Sequence, residues 1–190
     1  MKGNRVFIIG VPRSGNTIVG ELLSQHSKIR YFDEVDKHYP TSEYVEFLLK
    51  HYTVVNKFPS YCMQFPNLIK QFPDAKFILM IRNREMVIKS AQKHPNSPFM
   101  VEGEHRMDVI CDKYIEIIKP FISHPNCYPL EFEDLILKKE KIIKNLFWFL
   151  DLKLEPIIME FADKYIDNKQ VPNYPLTAKS YQERKVRDDG

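Results

Sequence analysis

The sequence predicts an α/β fold in which a parallel sheet is flanked by helices. Short apolar and β-branched runs of strand length alternate with segments whose apolar residues recur at helical spacing. One run, K-F-I-L-M-I at 76–81, is apolar almost throughout, which is typical of a strand inside a parallel sheet. Ligands of such sheets bind at the carboxyl ends of the strands, so functional residues are expected there.

The predicted elements follow one another in alternation along the chain. Strands are predicted at 5–9, 28–32, 53–55, 76–81 and 127–132, and helices at 17–25, 42–51, 84–91, 104–119, 138–150 and 155–166. Asn83 is a capping residue type at the start of one helix, and Pro120 stops another. The stretch 169–190 lacks periodicity and is expected to run over the surface.

Length and composition favour one domain over residues 1–190. A chain of 190 residues with 44% hydrophobic content can bury one substantial core but is short for two domains. The balance of 28 Lys+Arg against 25 Asp+Glu gives a net charge of +3, so we expect no nucleic-acid partner. No apolar run approaches the length of a membrane span, so we expect a cytoplasmic protein without one.

The three cysteines, Cys62, Cys111 and Cys127, do not form a pattern that indicates disulfides or zinc. Their number is odd and no C-x-x-C pair is present. We therefore expect reduced and mostly buried thiols, and no metal site.

A glycine-rich stretch, G-V-P-R-S-G-N-T, joins the first predicted strand to the first predicted helix. Gly10 and Gly15 let the backbone approach an anion closely. The amides of Ser14, Gly15, Asn16 and Thr17 would then point at it, helped by the positive end of the helix dipole. The loop is therefore predicted to bind phosphate. The alternative is a tight strand-to-helix turn in which a side chain of the stretch only caps the helix.

The stretch lacks two parts of a nucleotide-hydrolysing phosphate loop. Asn16 stands where a Walker-type loop has the lysine whose side chain holds the β- and γ-phosphates. No apolar strand ends in a magnesium-binding acid, because the strand at 76–81 runs into Arg82 instead. The architecture is thus P-loop-like, but the site is expected to balance phosphate charge with protein cations and without a metal.

The motifs of the chain resemble those of sulfotransferases that use 3′-phosphoadenosine 5′-phosphosulfate (PAPS). P-R-S-G-N-T resembles the family's 5′-phosphosulfate loop, P-[KR]-S-G-T-T, and Arg82 and Ser90, eight residues apart, resemble its 3′-phosphate pair. V-N-K-F-P at 55–59 resembles its K-x-P strand end, and L-E-F-E-D-L at 130–135 resembles its Y-E-D-L segment. The matches run in order over about 5–152, the expected cofactor-binding core, which a C-terminal helix and tail follow at 153–190. The style of the motifs is closest to tyrosylprotein-type and bacterial members.

The resemblance implies which residues bind PAPS and its product 3′-phosphoadenosine 5′-phosphate (PAP). The implied cofactor contacts are Arg13, Ser14, Gly15, Asn16, Thr17, Arg82, Ser90 and, in the tail, Arg184. Asn16 replaces the first threonine of the family loop, and this position is expected to contribute mainly its backbone amide. The tail segment T-A-K-S-Y-Q-E-R-K-V resembles one that returns to cover the cofactor, with Ser180 and Lys185 as further contacts. A disordered basic tail is the alternative.

The resemblance also implies the catalytic residues. Arg13 would contact the sulfonate and the leaving phosphate together, and Lys57 would face the sulfonate or the acceptor. Pro59 stands where members acting on small phenols and steroids have a catalytic histidine, so Glu34 is the expected general base. Three nearby side chains compete for that role: Asp33, Asp36 and His38.

These observations together predict sulfonate transfer from PAPS to a hydroxyl of a small molecule, a glycan or a peptide, by in-line displacement without a metal. A non-catalytic PAP/PAPS-binding module is the alternative, followed by a P-loop nucleotide kinase. The segments 36–51 and 104–119 are expected to line the acceptor site, and an exposed apolar stripe on one of these helices could pair two copies into a homodimer. The carboxylates Glu131, Glu133 and Asp134 are interpreted as structural, because the family segment they resemble orders a turn.

Overall fold

The computed structural model describes residues 3–33, 41–57, 62–93 and 104–166, with only the helical backbone at 104–106. Within these ranges the chain forms five strands: β1 (Arg5–Ile9), β2 (Ile29–Asp33), β3 (Thr53–Lys57), β4 (Lys76–Ile81) and β5 (Cys127–Glu131). The helices are α1 (Asn16–Ser24), α2 (Ser42–Leu48), α3 (Phe65–Gln71), α4 (Arg84–Gln92), α5 (Glu104–Ile118), α6 (Phe132–Leu137), α7 (Lys139–Phe149) and α8 (Pro156–Tyr165).

The strands form one parallel sheet in the order β2-β3-β1-β4-β5. The predicted α/β fold class is therefore confirmed. β1 is the central strand. β3 and then β2 lie on one side of it, and β4 and then β5 lie on the other. The order reverses between β1 and β4, and a crevice at the carboxyl ends of such strands is where ligands of this class of sheet bind. The glycine-rich loop that follows β1 lies at this edge.

The alternation of side chains along β1 divides the core between the two faces of the sheet. Val6 and Ile8 belong to an apolar cluster with α1, α6, α7 and α8. Phe7 and Ile9 belong to a second cluster with α3, α4 and α5. All four side chains are 5% exposed or less, so β1 is the buried central strand that fixes where the loop begins.

Two short helices were not predicted. The segment of α3, F-P-N-L-I-K-Q, has seven residues, too few for an apolar period to appear, and a proline in its first turn. The predicted strand 127–132 is wrong at its last residue, because Phe132 starts α6 and buries its ring in the core. The other predicted elements are present, with their ends shifted by at most three residues.

Cys62, Cys111 and Cys127 are free and buried, as predicted. No helix in the described part of the chain is long and apolar enough to cross a membrane.

Candidate active site

The backbone of the glycine-rich loop requires glycine at two positions. Gly15 caps α1 with a φ of 98°, in the left-handed region, and a Cβ there would lie 2.4 Å from the Phe132 ring. At Gly10 a Cβ would lie 2.4 Å from Asn16 Oδ1. The two glycines thus allow the chain to turn sharply from β1 into α1 while other groups pack against it.

Arg13 lies at the tip of this loop in a conformation that costs energy. Its φ of 70° is unusual for a residue with a side chain, and left-handed backbone costs roughly 1–2 kcal/mol outside glycine. The Arg13 carbonyl oxygen accepts a hydrogen bond of 2.7 Å from Arg82 Nη1, which holds this conformation. Strained backbone of this kind clusters at functional sites.

The Asn16 side chain is part of the loop's internal framework. It is 5% exposed, and its Nδ2 donates to the carbonyl oxygens of Gly10 at 3.2 Å and Val11 at 3.0 Å. The Ser14 hydroxyl donates to the Val11 oxygen at 2.7 Å, and the Ser14 amide also lies 3.2 Å from that oxygen. The Asn16 side chain therefore stabilises the loop, in addition to the backbone amide that was expected to contribute. The Ser14 amide, expected to face an anion, is used inside the loop.

The first turn of α1 still offers backbone donors. The Val19 amide makes a hydrogen bond of 3.2 Å to Gly15, the first of the helical ladder. The amides of Asn16 and Thr17 precede it and have no carbonyl partner within the helix. They lie at the positive end of the helix dipole, the usual environment for a bound anion.

Arg13, Ser90 and Arg82 form one cluster beside the loop. Arg13 Nε donates to Ser90 Oγ at 3.2 Å, while Arg82 reaches the Arg13 carbonyl from the end of β4. The Arg82 guanidinium carbon lies 4.4 Å from the centre of the Phe132 ring. The residues predicted for the two phosphates of the cofactor are therefore neighbours in space.

The electrostatics of this cluster favour an anion. Burial lowers the pKa of both Arg13 and Arg82; the pKa of Arg82 is raised by Glu133 and lowered again by the charge of Arg13. Arg82 Nε is buried and has no hydrogen-bond partner among the described residues. A buried guanidinium donor without an acceptor is costly, so an incoming phosphate oxygen would satisfy it. The residues present thus fit a nucleotide phosphate.

A second cluster joins the ends of β2 and β3 to α1. Asp33 and Lys57 are paired in the register of the parallel strands. Lys57 Nζ lies 2.9 Å from Asp33 Oδ1 and donates to Thr17 Oγ1 at 3.1 Å. Tyr31 donates to the other carboxylate oxygen of Asp33 at 2.9 Å. Lys57 is therefore fixed next to the first turn of α1, although it is a lysine that is only 4% exposed.

Several predicted site residues lie outside the described parts of the chain. They are Glu34, Asp36, His38, Ser180, Arg184 and Lys185, and Pro59, which stands in place of a catalytic histidine, lies outside the described parts as well. Of the competing candidates for the general base, Asp33 is the one whose surroundings the structure describes. Its carboxylate is engaged by Lys57 and Tyr31 and is 14% exposed.

Glu133, interpreted from the sequence as structural, makes a contact beside the site that the sequence did not predict. Glu133 Oε1 accepts a hydrogen bond of 3.1 Å from the amide of Asn83, the residue after Arg82. The strand pairing accounts for this contact, because β4 pairs with β5 and Ile81 lies opposite Glu131. The residues that follow two paired parallel strands meet at the same edge of the sheet.

The helix α5 borders the site from the other face of the sheet. A cavity of about 50 Å³ lies between this helix and the end of β4. It is lined by Val11, Met80, Ile81, Arg82, Arg84, Cys111, Asp112, Tyr114 and Ile115. No group of three or more potential metal ligands occurs in the described ranges.

Comparison with known proteins agrees with this geometry. A family model described as "Sulfotransferase domain" matches residues 3–188, which is nearly the whole chain. The chain belongs to the sulfotransferase family. This membership confirms the family that the sequence motifs resemble.

Two curated relatives within the sulfotransferase family are named for protein tyrosine. A putative protein-tyrosine sulfotransferase of Caenorhabditis briggsae is 28% identical over 190 residues, which cover 78% of this chain and 65% of the relative. Protein-tyrosine sulfotransferase 1 of Danio rerio is 26% identical over 198 residues, which cover 83% of this chain and 56% of the relative. The chain thus spans less than two thirds of the length of these sulfotransferases.

Solved sulfotransferase structures share the fold. The sulfotransferase domain from the curacin biosynthetic pathway has a TM-score of 0.62 at 18% identity, covering 85% of this chain and 78% of that chain. Mouse sulfotransferase SULT7A1, complexed with PAP, has a TM-score of 0.64 at 17% identity, covering 85% and 63%. At such identities the likeness establishes the architecture.

Proposed function

We propose that this chain transfers the sulfuryl group of PAPS to an acceptor hydroxyl. The observation that carries the proposal is the convergence of Arg13, Ser90 and Arg82 beside the first turn of α1. Two half-buried guanidinium groups next to open helix amides form a site for two phosphates close together. PAPS has a 5′-phosphosulfate and a 3′-phosphate on one ribose and matches this arrangement.

The proposed division of labour follows the positions of the side chains. Arg82 and Ser90 would hold the 3′-phosphate, with the unpartnered Arg82 Nε as one donor. The amides of Asn16 and Thr17, together with Arg13, would hold the 5′-phosphosulfate. Arg184 in the tail stays a predicted further contact. PAPS, when bound, supplies the activated sulfuryl group, and the chain orients it and stabilises charge.

Two cations are proposed to stabilise the transition state. Negative charge builds on the bridging oxygen of the leaving phosphate during sulfuryl transfer, and a preorganised cation lowers this barrier most effectively. Lys57 is preorganised, because Asp33 and Thr17 hold its ammonium group in one place. Arg13 can contact two anionic oxygens at once through its planar guanidinium.

The acceptor proton is proposed to pass to a carboxylate. Glu34, the residue that follows β2 in the sequence, stays the predicted base, and Asp33, the last residue of β2, competes with it. Glu34→Gln, assayed for PAP release from PAPS, tests the assignment, because Asp33→Asn would also release the Lys57 ammonium group and lose turnover for that reason. Full turnover of Glu34→Gln would remove Glu34 as the base and leave Asp33 as the candidate. The base variant should lose turnover roughly 100-fold while binding PAP like the unaltered protein.

The acceptor is proposed to be a hydroxyl of a small molecule, a glycan or a peptide. Because both curated relatives are named protein-tyrosine sulfotransferases, a tyrosine-containing peptide belongs in the assay beside a phenol, a monosaccharide and an aliphatic alcohol. The α5 side of the cavity and the segment 36–51 are the proposed acceptor contacts. The class of acceptor is identified by the compound in whose presence PAP is released at a rate proportional to the amount of protein.

Independence from metal separates this proposal from a nucleotide kinase. Thermal unfolding should be measured with PAP and with ATP, each with and without magnesium. We expect stabilisation by PAP that magnesium does not change, and little effect of ATP. Magnesium-dependent stabilisation by ATP alone would favour the kinase. PAP binding without PAP release over the whole acceptor panel would favour the binding module.

Location and assembly stay predictions of the sequence. A cytoplasmic location is tested by cell fractionation. Val109 and Ile115 on α5 are exposed by 48% and 44% and are candidates for pairing two copies. Light scattering of the purified chain would show twice the monomer mass if a homodimer forms.

A further inference from the structure

We propose that Glu133 is a positioning residue for the anion site around Arg82, acting through the turn between β4 and α4. The inference rests on the proposed function, because it assigns Glu133 to the pocket for the 3′-phosphate. The contact that carries it is the hydrogen bond of 3.1 Å from the Asn83 amide to Glu133 Oε1.

The turn held by Glu133 connects the two predicted 3′-phosphate ligands. Arg82 precedes Asn83, and Ser90 is carried by the helix that Asn83 caps. The Asn83 side chain accepts a hydrogen bond of 3.2 Å from the Met86 amide, so its orientation fixes the start of α4. The Glu133 carboxylate therefore fixes the residue from which both Arg82 and Ser90 are placed.

The helix that carries Glu133 is itself anchored against the site. Phe132 is 2% exposed, and its ring faces the Arg82 guanidinium at 4.4 Å. The same ring fills the space beside Gly15 where a Cβ would clash. The first turn of α6 thus supports the Arg82 side chain with Phe132 and the adjoining backbone with Glu133.

The charge of Glu133 has the opposite effect on an anion from its hydrogen bond. In the protein alone, the half-buried carboxylate partly offsets the positive charges of Arg13 and Arg82. When a phosphate is bound, the same negative charge opposes it. Removing the charge should therefore not weaken phosphate binding, whereas removing the hydrogen-bond acceptor should. Glutamine at this position separates the two effects, because it keeps an acceptor oxygen and loses the charge.

The test compares nucleotides with and without a 3′-phosphate. The affinities of PAP and adenosine 5′-monophosphate are measured by titration calorimetry for the unaltered protein, Glu133→Ala and Glu133→Gln. Asp134→Ala is the matched control, because this neighbouring carboxylate pairs with Lys138 at 2.9 Å on the exposed side of α6. Thermal unfolding of each variant reports whether it is folded.

Glu133→Ala should lower PAP affinity roughly tenfold and leave the affinity for adenosine monophosphate unchanged. Glu133→Gln should bind PAP at least as tightly as the unaltered protein, and Asp134→Ala should match it for both nucleotides. If Glu133→Ala is too unstable to titrate, Glu133→Met, which keeps the side-chain volume without an acceptor, takes its place.

Two results would overturn this inference without affecting the proposed function. One is an unchanged ratio of PAP to monophosphate affinity in Glu133→Ala, and the other is an equal loss of that ratio in Glu133→Ala and Glu133→Gln. If the unaltered protein does not bind PAP, the proposed function fails and this inference fails with it.

Discussion

Lys57 Nζ lies 2.9 Å from Asp33 Oδ1, where the ends of β3 and β2 are paired in register. The ion pair is nearly buried, with exposed side-chain fractions of 5% for Lys57 and 14% for Asp33. Buried pairs of this kind contribute little net stability but are expensive to break. Their use here is to hold an ammonium group beside Thr17, at the proposed site of sulfuryl transfer.

Breaking the pair from one side should therefore harm both stability and activity. Lys57→Met leaves a carboxylate without its cation, and we expect a loss of roughly 3–5 kcal/mol in the free energy of unfolding. The double variant Lys57→Met/Asp33→Asn should regain most of this stability and none of the turnover. Urea unfolding and PAP release measure the two effects. Equal stability of the single and double variants would contradict the account.

Asn16 should tolerate threonine better than aspartate. Threonine, the residue of the family loop, loses the two amide donations to Gly10 and Val11, at a cost of roughly 1–2 kcal/mol. Aspartate also loses them and puts a negative charge against two carbonyl oxygens, at the place proposed for a phosphate. Asn16→Thr should thus keep most PAP binding and Asn16→Asp should abolish it, as measured by calorimetry. Similar PAP affinities of the two variants would exclude the proposed internal role of the side chain.

Gly15→Ala should destabilise the protein through the backbone and through packing. The φ of 98° is strained for alanine, and the new Cβ would meet the Phe132 ring at 2.4 Å. Together these effects should lower the free energy of unfolding by roughly 2–4 kcal/mol. Chemical denaturation measures the change, and a loss below about 1 kcal/mol would show that the loop relaxes without difficulty.

Arg13→Lys should separate binding from chemistry. Lysine keeps the positive charge but loses the planar group and the Nε that donates to Ser90. We expect PAP affinity to change only a few-fold, and turnover to fall roughly 100-fold. Arg5→Lys is the control, because Arg5 pairs with Glu46 at the opposite end of β1. Turnover of Arg13→Lys within about tenfold of the unaltered protein would remove Arg13 from the catalytic step.

The buried thiols should make the protein sensitive to alkaline pH. Burial raises the pKa of Cys62 and Cys111 to about 11 and that of Cys127 to about 12. Above about pH 9 the thiols of the unfolded chain ionise, while those of the folded protein stay protonated. The unfolded state is thereby favoured, so the free energy of unfolding is highest below about pH 9 and falls above it. Each thiol should lower the free energy of unfolding by roughly 1.4 kcal/mol per pH unit until its folded pKa is reached.

Two measurements check this behaviour of the thiols. Urea unfolding at a series of pH values should show stability falling above about pH 9. At pH 8 the folded protein should react slowly with a thiol reagent and the unfolded protein rapidly. Rapid labelling of the folded protein at pH 8 would contradict the burial of the thiols.

The parts of the site that depend on local backbone were predictable from the sequence. The order of strand, glycine-rich loop and helix follows from apolar runs and glycine spacing, and Arg82 follows from the end of an apolar strand. The role of the Asn16 side chain was not predictable, because it depends on how the loop closes on itself. The Glu133–Asn83 contact depends on the pairing of β4 with β5, which is set by the whole sheet.

The central claim is that one adenosine bisphosphate joins the loop to the end of β4. A crystal structure of the protein with PAP tests it most directly. The account predicts the 5′-phosphate against the amides of Asn16 and Thr17 with Arg13, and the 3′-phosphate against Arg82 and Ser90. PAP bound through only one of its phosphates, or at another place on the sheet, would contradict the account.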